Sequence, residues 1–372
     1  MKPKINDMNK IYPPVYYSDY LQLSKLLGCQ NPKSTEYGNP AHDEMLFIIV
    51  HQVYELWFKQ VIHELDSINE IFRNEMIDER SIGVAVSRIN RITEIQKVLI
   101  EQLRILETMT PLDFLDFRDY LIPASGFQSF QFRLIENKLG LKSENRVQYN
   151  NIDYLNTLSE EHRRNILQSI ESISLFELVE KWLERTPFLN TSKFNFWETY
   201  KHTIGSILES EKNIIMSNPS LTGKKKDVQL KQNEKNKEHF EALFNKEKYS
   251  ELRKQGVLRL SQTAMLAAIF INLYRDEPIL HMPFKLLNSL VEMDELFTTW
   301  RYRHVLMVHR MIGLKVGTGG TSGHEYLMNT VEKHRVFIDL FNISTYLIPR
   351  SALPQLPEEV ENQLGFYYSQ KE

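Results

Sequence analysis

The sequence contains a single cysteine, Cys29, among its 372 residues. An internal disulfide is therefore impossible, and a zinc site built from cysteines is excluded. A reducing compartment such as the cytosol is expected for such a chain. Glycine and proline are also scarce, with 14 of each. Because these two residues interrupt regular structure, their scarcity favours long helices.

Neither sign of charge dominates, since 45 Lys and Arg stand against 48 Asp and Glu, for a net charge of -3. No overall basic character recommends nucleic acid as a partner. The longest apolar runs, at 45–50 and 265–274, are too short to span a bilayer. The N-terminus is polar and broken by prolines, which is not the pattern of a signal peptide. We therefore expect a cytosolic protein with no membrane partner.

Apolar residues recur at helical spacing along most of the chain, which predicts an all-α fold. The first long helix is expected to begin near Asn39 and Pro40, because Asn caps helices and Pro suits their first position. Its apolar face runs from Leu46 to Phe72. Other helical segments are expected over 83–109, 111–129 (a short helix and a turn), 129–140 and 284–313.

Residues 218–256 change in character and become dense in charge. Glu and Asp interleave with the lysines, so a solvated helix is the preferred interpretation over RNA binding or nuclear localisation through Lys224–Lys226. We predict one domain over 1–372, with a small helical subdomain inserted at about 205–285.

The histidines were compared with the common metal-binding patterns. The chain contains no HExxH, no Glu three residues before a His, and no CxxCH, so zinc, di-iron and covalent haem sites lose their usual signatures. A single axial histidine on a non-covalent haem stays open, because it requires only one nitrogen ligand.

His304 lies near the middle of an apolar arc when the segment is drawn as a helix with about 100° per residue. The arc consists of Phe297, Trp300, Met307, Val308 and Met311. His309 falls on the opposite side, together with Arg301, Arg303 and Arg310. Spacing alone leaves two interpretations of His304, namely a ligand and a core histidine whose ring nitrogens are satisfied.

His51 lies at the margin of the apolar face of the first long helix, one turn after Phe47. A polar ring beside aromatic residues suits the edge of a flat ligand, and it equally suits a residue that covers the core. The pattern leaves both interpretations open.

Arg118 lies among Phe114 and Phe117. A guanidinium in apolar surroundings can bind a carboxylate in a bidentate manner, or it can pair with Asp116 or Asp119. The glycine-rich residues 316–323 resemble a phosphate loop, but they follow a helix and lack the lysine of that motif.

Four long segments together resemble the tryptophan 2,3-dioxygenase family. The similarity runs from about Tyr17 to Arg350. The segments are HDEMLFIIVHQVYELWFKQ (42–60), FRDYLIPASGFQSFQFRLIENKLG (117–140), WRYRHVLMVHRMIG (300–313) and GTGGTSG (317–323).

The resemblance implies a helical haem-binding bundle of the tryptophan/indoleamine dioxygenase type. Members bind one haem b per subunit without covalent attachment and form homotetramers. Their reaction inserts O2 across the indole C2–C3 bond of L-tryptophan to give N-formyl-L-kynurenine, the first step of tryptophan breakdown by the kynurenine route.

The resemblance also assigns roles to residues of the pocket. His304 matches the axial ligand of the haem iron, and His51 matches the distal histidine that meets the indole N–H. Phe47 matches an aromatic wall of the indole pocket. Arg118 matches the arginine that holds the substrate carboxylate.

Further positions match the edges of the pocket. Ser125 and Gly126 match a turn that approaches the haem, and Thr318 matches the threonine that receives the substrate ammonium. Phe114 stands where some members have Tyr, so an apolar wall is kept and a hydroxyl is lost.

Residues Tyr17, Tyr20 and Leu21 match an N-terminal segment that reaches into the pocket of a neighbouring subunit.

Three other functions are alternatives to the one that the resemblance implies. They are a dioxygenase for other indoleamines, a non-catalytic sensor of haem or tryptophan, and a helical scaffold without a cofactor.

Overall fold

Helices make up the regular structure of this chain. The computed structural model describes residues 12–141, 146, 155, 158–187, 189, 194–315 and 323–366. These residues form α-helices and 3-10 turns and contain no β-strand, which confirms the all-α prediction. The helices of the first half are α1 (Tyr17–Tyr20), α2 (Leu23–Leu26), α3 (Lys33–Glu36), α4 (Glu44–Phe72), α5 (Glu79–Leu106), α6 (Pro111–Arg118), α7 (Phe130–Leu139), α8 (Glu160–Glu171) and α9 (Leu175–Glu184). Those of the second half are α10 (Phe196–Ser217), α11 (Lys224–Phe244), α12 (Lys246–Lys254), α13 (Gln262–Leu273), α14 (Pro278–Ile312), α15 (Gly323–Lys333), α16 (Ile338–Asn342) and α17 (Glu358–Leu364).

Three long helices, α4, α5 and α14, form the frame. The backbone of helix α5 packs closely against both α4 and α14, whereas α4 and α14 meet each other mainly through side chains such as Tyr54 and Trp300. The predicted apolar face of α4 supplies much of the core, and its buried members are Val50, Tyr54, Phe58, Val61, Leu65, Ile68 and Phe72.

Buried polar groups tie the frame together across its helices. The Tyr54 hydroxyl donates to the Leu99 carbonyl at 2.6 Å, which links α4 to α5. The Gln96 amide donates to the Met293 carbonyl at 3.0 Å, which links α5 to α14. A hydrogen bond in the core is lost only at a high cost, because each group would remain without a partner. These bonds therefore favour one register between the three helices.

The start of α4 differs from the prediction, which set it near Asn39 and Pro40. The helix begins at Glu44. The Asn39 side chain donates to the Tyr120 hydroxyl at 3.1 Å instead of capping a helix. The Glu44 carboxylate accepts from the backbone N–H groups of Lys33 and Ser34, at 2.7 and 2.8 Å. Contacts with residues distant in sequence thus override the local capping signal.

Two other long helices begin earlier than predicted. Helix α5 begins at Glu79 rather than 83, because the Asp78 carboxylate caps it by accepting from Ser81 N–H at 2.8 Å. Helix α14 begins at Pro278 rather than 284 and continues through Pro283. Proline suits the first position of a helix, whereas an interior proline removes one backbone hydrogen bond.

The short helices near the middle of the chain agree with the sequence. Thr110 and Asp113 form a reciprocal cap at the start of α6, with Pro111 in the first position. Ser129 caps α7, and Gly140 ends it with a φ of +115°. That backbone conformation is open to glycine at little cost. The predicted helix at 129–140 is therefore confirmed.

The charge-dense residues form α11 and α12. Only Asn233, Phe240 and Leu243 of α11 are buried, as expected for a solvated helix. The inserted subdomain at 205–285 stays a prediction. Over the described ranges, no helix combines the length and apolar character needed to cross a membrane.

Core packing at the centre of α5 gives a direct test of this frame. Ile92 is fully buried, whereas Val98 on the same helix is 48 % exposed. We expect Ile92→Ala to lower the free energy of unfolding by about 2–5 kcal/mol, because it leaves a cavity. Val98→Ala is the control and should change it by less than about 0.5 kcal/mol. Urea unfolding of both variants measures the difference, and equal losses would contradict the assignment of α5 to the core.

Candidate active site

A cavity of about 290 Å³ lies between the frame and the helices α6, α7 and α15. Seven residues singled out in the sequence line it, namely Phe47, His51, Phe114, Arg118, Ser125, Gly126 and His304. They come from α4, from α6 and the turn after it, and from α14. The cavity lies between α4 and α14, where the backbones of these two helices are not packed closely together.

His304 projects from α14 into this cavity. Its ring stacks on that of Trp300, one turn earlier, with centroids 5.2 Å apart and an interplanar angle of 7°. Burial, together with the nearby His51, lowers the pKa of His304 to about 4. The ring is therefore neutral near pH 7. A neutral imidazole has a nitrogen lone pair, which is what a metal centre requires of a histidine ligand.

His51 projects from α4 into the same cavity. Its Nδ1 lies 2.7 Å from the Phe47 carbonyl oxygen, which can only accept, so Nδ1 carries the hydrogen. The cavity leaves part of the ring open to water, yet burial lowers the pKa of His51 by more than the Phe47 carbonyl and the Glu55 charge raise it. In the neutral ring Nε2 is then a hydrogen-bond acceptor.

An aromatic cluster stands beside His51. The Phe47 ring lies 4.1 Å from the His51 ring, 5.7 Å from Phe114 and 5.5 Å from Phe117. Phe114 and Phe117 meet edge to face at 5.4 Å. Tilted and edge-to-face contacts are favourable for aromatic rings. The cluster gives this end of the cavity flat apolar walls that suit an aromatic ligand.

Arg118 follows the cluster at the last position of α6. Its side chain is 17 % exposed and lines the cavity, and its Nη1 lies 3.5 Å from an oxygen of Asp119. Asp119 is 82 % exposed, and an ion pair with so exposed a partner contributes little. The guanidinium lines the cavity, and a charge-assisted pair with a carboxylate is strong in such surroundings.

Ser125 and Gly126 form the turn that leads into α7. The Ser125 carbonyl accepts from Gln128 N–H at 2.9 Å, and Gln128 Oε1 accepts from Ser125 N–H at 3.3 Å. A Cβ added at Gly126 would meet no atom within 4 Å. The turn thus brings backbone to the cavity and leaves space beside it.

Three predicted residues are not brought to the cavity. Tyr17, Tyr20 and Leu21 lie on and just after α1, at 75, 77 and 41 % exposure, and do not line it. Thr318 lies outside the described residues, so its predicted role is left as a prediction.

The structure adds charged residues to the cavity wall that the sequence analysis missed. They are Arg133, Glu136, Arg301 and His334. Arg301 had been placed opposite the apolar arc of α14 together with His309, which is wrong for Arg301. It is buried at 7 % exposure and pairs with Glu136 at 3.1 Å. The sequence feature that could have indicated this cluster is the i, i+3 spacing of Arg133 and Glu136, which allows an ion pair on one face of a helix.

Among the described residues, no group of three His, Cys, Asp or Glu side chains gathers as a metal site. The fold and the cavity define the class: an all-helical protein with an aromatic ligand pocket, two facing histidines and an arginine.

A family model described as tryptophan 2,3-dioxygenase matches residues 6–347. A tryptophan 2,3-dioxygenase of Bdellovibrio bacteriovorus is 50 % identical over 357 residues, which cover 96 % of this chain and 99 % of that protein. One of Dictyostelium discoideum is 50 % identical over 370 residues, covering 99 and 92 %. One of Xenopus tropicalis is 49 % identical over 350 residues, covering 94 and 86 %. The chain belongs to the tryptophan 2,3-dioxygenase family.

The lowered pKa of His304 predicts its behaviour in the ligand-free chain. A free histidine becomes protonated as the pH falls through about 6.5. We expect the His304 ring to stay neutral through that range and to take up its proton only near pH 4. An NMR titration of the chain with labelled histidines measures this, and His304→Gln identifies the signal. A midpoint near 6.5 would contradict the burial described above.

Proposed function

We propose that this chain is a haem-dependent dioxygenase that converts L-tryptophan and O2 to N-formyl-L-kynurenine. One observation carries the proposal: His51 and His304 line one cavity together with an aromatic cluster and Arg118. Relatives at about 50 % identity over nearly the whole chain carry the name tryptophan 2,3-dioxygenase. Both oxygen atoms enter the product, so the reaction balances without an external reductant.

The residues present fit a haem. His304 offers a neutral imidazole on the cavity wall, and only one nitrogen ligand is needed for a non-covalent haem. His304 would hold the iron, and the Ser125–Gly126 turn would stand beside the macrocycle. Bound haem supplies the O2 chemistry, while the protein supplies position and electrostatics.

The amino acid would be held at two points. The carboxylate of L-tryptophan would pair with Arg118, and the indole would lie against Phe47 and Phe114. His51 Nε2 would accept a hydrogen bond from the indole N–H, since Nδ1 already donates to the Phe47 carbonyl. Fixing both ends of a substrate presents its reactive bond in one orientation and lowers the entropic part of the barrier. His51 therefore orients the indole and excludes water.

The N-terminal segment supports an oligomer. Tyr12, Tyr16, Tyr17 and Tyr20 are all more than 70 % exposed, and exposed apolar clusters of this kind mark interaction sites. We propose a cytosolic homotetramer in which Tyr17, Tyr20 and Leu21 reach the cavity of a neighbouring copy. Thr318 would receive the substrate ammonium.

The proposal is tested by loading the purified chain with haem, reducing it, and adding L-tryptophan in air. We expect a histidine-type Soret band and absorbance of N-formylkynurenine. His304→Ala should lose the Soret band, whereas His309→Ala, an exposed histidine on the same helix, should retain it. A haem spectrum without formation of N-formylkynurenine would favour a non-catalytic sensor. A Soret band that is unchanged in His304→Ala would exclude His304 as the ligand of the iron.

Arg118 is tested by pairing a variant with a substrate analogue. Arg118→Leu should lower kcat/KM for L-tryptophan roughly a hundredfold or more, because losing one partner of a buried ion pair costs about 3–5 kcal/mol. Tryptamine lacks the carboxylate, so the variant should no longer prefer L-tryptophan to it. Arg104→Leu removes an exposed arginine of α5 and is the control. A loss under about threefold, or a preserved preference, would contradict the carboxylate contact.

A further inference from the structure

A buried carboxylate, Glu136 on α7, lies on the cavity wall and has no part in the mechanism above. Its Oε2 accepts from Arg146 at 2.6 Å and from Arg133 at 3.0 Å. Its Oε1 accepts from Arg301 at 3.1 Å and lies 3.2 Å from His334 Nδ1. Side chains from four segments of the chain therefore meet on one carboxylate.

Three of those segments also build the active-site cavity. Helix α7 follows the Ser125–Gly126 turn, and α14 carries Arg301 one turn before His304. His334 directly follows α15. Arg301 additionally donates to the His334 carbonyl at 3.3 Å, so both the ring and the backbone of His334 are held.

The end of α15 has a second attachment to α14. The Asp294 carboxylate accepts from the backbone N–H groups of Val336 and Phe337, at 3.1 and 3.0 Å. This contact fixes the chain just after α15 against α14, but it does not involve α7. Arg259 also joins α7 to this stretch, because its guanidinium donates to the Gly140 carbonyl at 2.6 Å and to the Val336 carbonyl at 2.7 Å. Glu136 differs in that it holds His334 itself, the residue directly after α15, to both α7 and α14.

Glu136 remains charged in this position. Burial alone would raise its pKa, but Arg146, Arg133, His334 and Arg301 hold the pKa well below the usual value. Hydrogen bonds to an ionised acceptor are stronger than neutral ones. The surrounding bonds therefore depend on the carboxylate charge, and an amide in its place would weaken all of them.

We propose that Glu136 is a positioning residue of the active site. Its carboxylate holds the end of α15 and so sets where Leu327 and Thr330, which line the cavity from α15, stand relative to His304 on α14. An effect of Glu136 on the KM for L-tryptophan rests on the proposed function, whereas its effect on the position of α15 concerns the fold alone.

Hydrogen exchange measured by mass spectrometry tests the proposal without requiring activity. In Glu136→Gln, the amides of 323–334 should exchange about tenfold faster or more, the change that a loss of ~1.4 kcal/mol in local opening free energy gives. The matched control is Glu64→Gln. Glu64 is also buried and paired, with Arg91 at 2.8 Å, but it lies on α4 away from the cavity lining. Equal exchange of 323–334 in Glu136→Gln and the wild type would overturn the proposal.

A second pair of variants covers the case in which Glu136→Gln does not fold. His334→Leu removes the ring donor and should accelerate exchange over 323–334. His334→Asn keeps an N–H donor near the Nδ1 position and should restore most of the protection. Equal exchange in the two His334 variants would overturn the proposal.

Activity measurements then separate this inference from the proposed function. In the haem-loaded protein, Glu136→Gln should raise the KM for L-tryptophan, whereas Glu64→Gln should not. If the wild type forms no N-formylkynurenine, the proposed function fails, and the exchange of 323–334 still decides the role of Glu136.

Discussion

The site depends on one packing constraint, the placement of α5 between α4 and α14. Because the backbones of both helices pack closely on α5 and less closely on each other, a space remains between them on one side. Tyr54, Phe58 and Trp300 close one part of that space, with ring centroids 6.0–6.5 Å apart. The two histidines of the site project into the part that stays open. A cavity arises here as a consequence of helix spacing.

The electrostatics of the cavity follow from what is buried with each group. Among the described residues no anion raises the pKa of His304, and its partial burial keeps it neutral. Glu136 is buried more fully, at 2 % exposure, but guanidinium groups surround it and keep it charged. An ionised group is retained in the interior only when partners replace its water. A neutral imidazole and fixed charges can therefore coexist on one wall.

The sequence predicted features that depend on one helix or one short segment. The buried face of α4 and the end of α7 at Gly140 follow from local patterns, and spacing placed His304 on the apolar side of α14 while it left the role of His304 open. The start of α4 was not predicted correctly from local signals, because the Asn39 side chain contacts Tyr120, 81 positions along the chain. Arg301 was assigned to the wrong side for a different reason: three residues at about 100° each place it only about 60° from His304, so the spacing itself puts it beside the apolar arc. What the spacing does not reveal is its partner Glu136, which is 165 positions away.

The residues that line the cavity run from Phe47 to His334, and this spread has a consequence for how the protein is made. During synthesis, α4 and α6 leave the ribosome long before α14 and α15 exist. Domains generally fold as units. The apolar face of α4 can therefore be buried fully only after the later helices that pack against it have been synthesised. No ligand can be held between His51 and His304 until nearly the whole chain has been translated. A ligand can therefore bind in the cavity only after most of the chain has been made. A chain that ends before α14 contains the cavity residues of α4 and α6 but lacks His304 and α15.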